Sequence, residues 1–132
     1  MEGSGSKSWA GGISAITLLV DDLAATSQFY QDVFDLPVHC QDDESVVFQF
    51  GGTLVNLLVS ATAGDLIEPG LVAPTDQGSR LQITINVDDV DVMCADLEQR
   101  GVRLLNGPMD RPWGVRTASF VDPSGHIWEI AK

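Results

Sequence analysis

A chain of 132 residues is the size of one ordinary domain and buries enough apolar surface to fold without a disulfide or metal staple. Seven basic residues against nineteen acidic ones give a formal net charge of −12, which argues against nucleic acid and membrane surfaces as partners and suits a neutral or cationic ligand. A hydrophobic fraction of 44% with 20% charged residues is a globular composition, unlike that of disordered chains, and no apolar run reaches membrane-spanning length.

Residues 1–12, Met-Glu-Gly-Ser-Gly-Ser-Lys-Ser-Trp-Ala-Gly-Gly, carry neither the basic start nor the continuous apolar stretch of a signal peptide. They read as a flexible lead, and the expected compartment is the cytoplasm. Cys40 and Cys94 lie far apart in the chain, Cys94 on the inner stripe of a predicted helix, so both are expected as buried free thiols.

The rest of the chain contains an internal repeat. Ile16-Thr-Leu-Leu-Val-Asp-Asp-Leu23 aligns with Ile83-Thr-Ile-Asn-Val-Asp-Asp-Val90, with five of eight positions identical. Each copy alternates as a strand, meets an Asp pair able to cap a helix, and continues with helical periodicity. Leu23, Thr26, Tyr30 and Val33 form the inner stripe of the first helix, with Phe29 and Phe34 beside it. Val90, Met93, Cys94 and Leu97 form that of the second, which Gly101 stops.

Three further strands follow each helix: 38–40, 46–50 and 53–59 in the first half, 102–105, 115–121 and 126–131 in the second. Turn-forming sequences, Phe50-Gly51-Gly52 and Asp122-Pro123-Ser124-Gly125, precede the last strand of each half. The spacing therefore predicts one α+β domain over 13–132 built from two βαβββ modules, 13–59 and 79–132. A linker or lid over 60–78 joins them. The acidic run Gln41-Asp42-Asp43-Glu44 reads as a charged turn.

Strand alternation assigns the faces. Leu81, Ile83, Ile85 and Val87 belong under a helix, whereas Gln82, Thr84 and Asn86 line something wet. Aligning Gly52 with Gly125 matches Asn56 to Glu129, and the repeat matches Ala15 to Gln82. These four positions, Ala15, Asn56, Gln82 and Glu129, are expected to converge if the two sheets curve together.

The paired βαβββ halves, the Val20-Asp21-Asp22-Leu23 and Phe29-Tyr30 run, and the closing Phe120-Val-Asp-Pro-Ser-Gly-His-Ile-Trp-Glu-Ile130 resemble the vicinal oxygen chelate superfamily of glyoxalases, bleomycin-resistance proteins and extradiol dioxygenases. The resemblance covers 13–132. It implies cup-shaped mixed sheets with helices outside, a homodimer, and four symmetry-related metal-ligand positions that fall on Ala15, Asn56, Gln82 and Glu129. Alanine offers no donor, and one carboxylate with two amides is a weak set for a divalent metal, so neither a metal nor another cofactor is expected. His39 and His126 have no metal-spaced partner and read as structural or surface residues.

Glu129 is the only catalytic candidate; otherwise it accepts a ligand or a hydrogen bond from Gln82 or Asn56. In the loop Asn106–Gly114, Trp113 is placed to stack on a planar ligand. Arg111 or Arg116 meets a carboxylate or forms an internal salt bridge. Phe48 and Phe50 share one strand face and are candidate pocket walls, while Trp128 belongs beneath the helices. The expected function is metal-free binding of a small aromatic or cationic compound, such as an antibiotic, by Asn56, Gln82, Thr84, Asn86, Trp113, Glu129, Phe48, Phe50 and Arg116. This is resistance by sequestration. The alternative is a metal-dependent lyase, isomerase or dioxygenase of the glyoxalase type with a reduced site.

Overall fold

The computed structural model describes residues 8–132; the first seven residues of the expected lead lie outside the described part. The first half runs β1 (Ala15–Val20), α1 (Leu23–Phe34), β2 (Cys40–Gln41), β3 (Ser45–Phe50) and β4 (Thr53–Val59). After a 3-10 turn at Ser60–Thr62 and the single helical turn α2 (Gly64–Ile67), the second half repeats the order. It runs β5 (Gln82–Asn86), α3 (Val90–Gln99), β6 (Leu104–Asp110), β7 (Arg116–Val121) and β8 (Ile127–Ala131).

Two four-stranded mixed sheets result, ordered β1-β4-β3-β2 and β5-β8-β7-β6. In each, the strand before the helix lies parallel to the last strand and the remaining pairs are antiparallel. The Asp pairs start the helices as their sequence requires: Asp22 Oδ1 accepts the N–H of Ala25 at 3.0 Å and Asp89 Oδ1 that of Val92 at 3.1 Å. No helix among the described residues is long and apolar enough to cross a membrane.

Three segments differ from expectation. The second strand is Cys40–Gln41, so Cys40 reaches an exposed edge position while Cys94 is buried; both thiols are free. The sixth strand runs Leu104–Asp110, into the segment expected as loop. Register shifts flank Asn106 there, and alternation is lost where a strand bulges. Gly107, with φ +85°, has its Cα so close to β7 that an added Cβ would lie 2.5 Å from the Thr117 carbonyl oxygen. The expected linker also carries the two short helical turns at its start.

The helix-covered faces of the two sheets share one core. Leu18, Tyr30, Phe48, Val55 and Leu57 from the first half are buried in the same cluster as Phe120, Trp128 and Ile130 from the second. Aromatic rings cross the junction: Trp128 stacks on Phe50 at 5.2 Å between centroids and meets Phe34 at 4.7 Å, and Phe29 meets Phe120 at 6.3 Å. Burial of such rings is the largest apolar contribution available to a domain of this size.

A polar chain crosses the same junction. The Trp128 indole donates to the Tyr30 oxygen at 3.0 Å, and the Tyr30 hydroxyl donates to Asp122 Oδ2 at 2.8 Å. Asp122 Oδ1 also accepts the N–H groups of Ser124 and His126, closing the turn before β8. Thr26 and Ser124 exchange a buried hydrogen bond at 2.8 Å. The structure thus gives His126 the structural role expected of it, its Nδ1 lying 3.0 Å from Asp122 Oδ2.

Candidate functional site

Because the helix-covered faces point toward one another, the polar faces of the two sheets point apart. Asn56 sits in a row with Thr17 and Val47 on the first sheet, and Glu129 in a row with Thr84 and Ser119 on the second. The four pseudo-symmetric positions therefore do not converge within one chain. Period-two alternation places residues on a face but does not say which way two faces are turned.

The outer face of the second sheet is the more polar. Gln82, Thr84 and Asn86 are exposed along β5, and the Thr84 hydroxyl donates to Glu129 Oε1 at 2.9 Å. Glu129 is thus satisfied by its neighbour in the row and not by Gln82 or Asn56. Arg111 lies across the far side of this face, with Nε donating to the Thr117 hydroxyl at 2.8 Å and Nη2 to Asn106 Oδ1 at 3.2 Å. Its guanidinium is 5.9 Å from the Trp113 ring, which is 71% exposed.

Arg116 is committed elsewhere. It makes a two-pronged pair with Asp91 at 2.8 and 2.9 Å and a third bond to Asp110 at 3.0 Å. These bonds, Asp91's first, raise its already high pKa, and Arg116's hydrogen bond holds Asp91 below the usual carboxylate range. Of the two alternatives expected for Arg116, the internal salt bridge is the one formed. Phe48, expected as a pocket wall, is wholly buried against Tyr30, with 5.5 Å between ring centroids. Trp128 lies beneath the helices, as alternation requires.

The donor set does not fit a divalent metal. Ala15 contributes no donor atom, and among the described residues no three His, Cys, Asp or Glu side chains cluster. The Asn56 Oδ1 atom is buried without a hydrogen-bond partner, but its row neighbours Thr17 and Val47 bring no anionic ligand.

A cavity of about 660 Å³ lies instead between the sheets, on their helix-covered side. Phe50, Ile16 and Val55 line it from the first sheet, Ile83, Ile85, Trp128 and Ile130 from the second, and Phe34, Met93 and Leu97 from the helices. Polar groups stand at Asp35, Gln49 and Arg100. Arg100 fastens one side: its Nη1 donates to the Asp32 carbonyl at 3.0 Å while Asp96 holds Nη2 at 3.1 Å. A mostly apolar recess with a few polar groups suits a small organic molecule. Sequence reasoning reached Phe50 but missed the recess, since its walls are residues a sequence reading assigns to the core.

Residues 12–130 match the model of the Glyoxalase/Bleomycin resistance protein/Dioxygenase superfamily. The chain belongs to this superfamily. Within it, the chain is 33% identical over 121 residues to the uncharacterised YraH protein of Bacillus subtilis (strain 168), covering 89% of this chain and 94% of that one. A glyoxalase-related enzyme from Fulvimarina pelagi superposes with a TM-score of 0.76 at 25% identity, over 91% of this chain and 86% of that one. TnmS3, an antibiotic binding protein from Streptomyces sp. CB03234, superposes with a TM-score of 0.68 at 24% identity, over 91% and 93% of the two chains. The superfamily resemblance read from Phe120–Ile130 and the repeat is thereby established, as is the α+β fold.

Proposed function

We propose that this superfamily member binds a small, flat aromatic molecule without a metal and without transforming it, an antibiotic of that shape being the concrete form. The observation that carries the reading is the 660 Å³ cavity walled by Phe34, Phe50 and Trp128. Aromatic walls stack on aromatic ligands, and the net charge of −12 favours a cationic one by raising its local concentration. Sequestration needs no reacting group, in keeping with a carboxylate, Glu129, whose partner is a threonine hydroxyl. The fold shared with the antibiotic-binding TnmS3 is compatible with such use. The weak donor set disfavours the metal-dependent lyase or dioxygenase alternative.

The test is titration of proflavine, a flat aromatic cation, followed by the anisotropy of its own emission. Met93→Trp, which fills the cavity, is expected to weaken binding at least about tenfold, or 1.4 kcal/mol. Trp113→Ala and Glu129→Gln on the outer face are expected to leave it unchanged. Absence of proflavine binding overturns the reading.

A second placement follows from the outer face of the second sheet, where Met109 and Val121 are exposed in register with the polar row. Two chains joined there form a homodimer with a cleft lined by Gln82, Thr84, Asn86, Glu129 and Trp113. Loss of binding in Trp113→Ala with retention in Met93→Trp selects this cleft, and light scattering at micromolar concentration reads the dimer directly.

A further inference from the structure

A smaller pocket of about 260 Å³ lies where 72–81 passes over the turn before β8, and its lining includes Thr17, Ser79, Arg80 and His126. Among the described residues no Asp or Glu lines it, although the chain holds nineteen. Its charged or chargeable groups are one guanidinium and one imidazole. Arg80 is exposed and makes no ion pair among the described residues.

His126 is oriented by what lies behind it. The Asp122 carboxylate, its side chain fully buried, faces Nδ1 at 3.0 and 3.3 Å. An ionised carboxylate accepts only, so Nδ1 carries the proton and Nε2 is the atom left to act. Nε2 has no partner among the described residues, and it is not among their buried unpartnered atoms. It therefore reaches solvent. Asp122 is itself held ionised: burial raises its pKa, but hydrogen bonds from the His126 ring and backbone and from Tyr30 outweigh this and bring it below the usual range.

We propose that this pocket is an oxyanion site that takes a phosphate group, as a monoester or as free phosphate, between the Arg80 guanidinium and Nε2 of His126. The guanidinium fork matches two phosphate oxygens. Nε2 accepts a hydrogen bond from a monoanionic phosphate or, in the protonated ring, donates one to the dianion. This site stands apart from the aromatic cavity and does not depend on it.

The chain has two histidines, and His39 is exposed on the other module, which makes it an internal reference. Ring Cε1–H resonances are followed by NMR at constant ionic strength while inorganic phosphate, and separately phenyl phosphate, is added. A saturable shift of His126 beyond that of His39 is expected, and Arg80→Gln is expected to weaken it about tenfold. Tighter binding of phenyl phosphate identifies a monoester, and equal binding identifies free phosphate. Both support the site. Equal response of the two histidines, or a His126 response that survives Arg80→Gln unchanged, overturns it. Arg80 lies on the surface outside the folded network, so its variant keeps the test valid even if His126→Gln fails to fold.

Discussion

Tyr30 of α1 and Asp122 of the turn before β8 are 92 residues apart and joined by a buried hydrogen bond of 2.8 Å. The phenol is simultaneously the acceptor for the Trp128 indole, so one hydroxyl satisfies a donor and an acceptor from the opposite module. Burial, with Asp122's charge and hydrogen bond adding to it, holds the phenol well above its ordinary pKa. It stays a neutral donor.

Replacing Tyr30 with Phe strands the Trp128 indole and removes one partner of a buried carboxylate. A loss of about 2–3 kcal/mol is expected from leaving buried polar groups unpaired, read as a lower urea midpoint with unchanged m-value. A loss below about 0.5 kcal/mol would show that water takes over the hydroxyl's place.

Acid sensitivity follows from Asp122. Its folded pKa lies below the unfolded value of about 4, so the contribution to stability is complete above that value. It is lost as pH falls through the lower folded one. Comparing unfolding free energies at neutral pH and near pH 3, Asp122→Asn should start less stable and fall less steeply than the parent chain. Parallel slopes would assign the acid transition to other carboxylates.

Gly107→Ala is expected to destabilise the fold by about 2–4 kcal/mol, since a residue with a side chain is strained at positive φ and the new methyl meets β7 backbone at 2.5 and 2.7 Å. Gly52→Ala is the control: a Cβ there meets nothing within 4 Å. Thermal midpoints of the two variants test the contrast, and equal shifts would mean that β6 moves aside.

Native protein should react with iodoacetamide at one thiol per chain and denatured protein at two. Cys40 is exposed and Cys94 buried. Burial first, then the nearby Asp91 and Glu98 charges, push the Cys94 thiol up, keeping it protonated and unreactive. Mass spectrometry of the labelled peptides decides; labelling of Cys94 in native protein would reveal opening of α3.

The local architecture was readable because duplication prints each element twice. The strand Thr53–Val59 matches its expected limits residue for residue, and both helices start at the anticipated aspartates. The site was less readable. Alternation places Asn56 and Glu129 on the faces away from the helices, but whether two such faces meet depends on how the modules dock. That docking rests on Trp128 reaching Phe50 and Tyr30 reaching Asp122, contacts between distant segments that no local periodicity records. Arg116 differs again: its spacing from Asp91 and Asp110 in the chain does not announce that all three meet at one corner.

The aromatic seam joining the modules also bears on how such a chain could arise. Each half presents Tyr30 and Phe50, or Phe120 and Trp128, toward the other, so a half-length ancestor would have carried an uncovered greasy face. Such a half, alone in water, would need to self-associate to cover that face; carrying both halves on one chain makes the pairing independent of concentration, and leaves Asn56 and Glu129 free to differ in chemistry at equivalent positions.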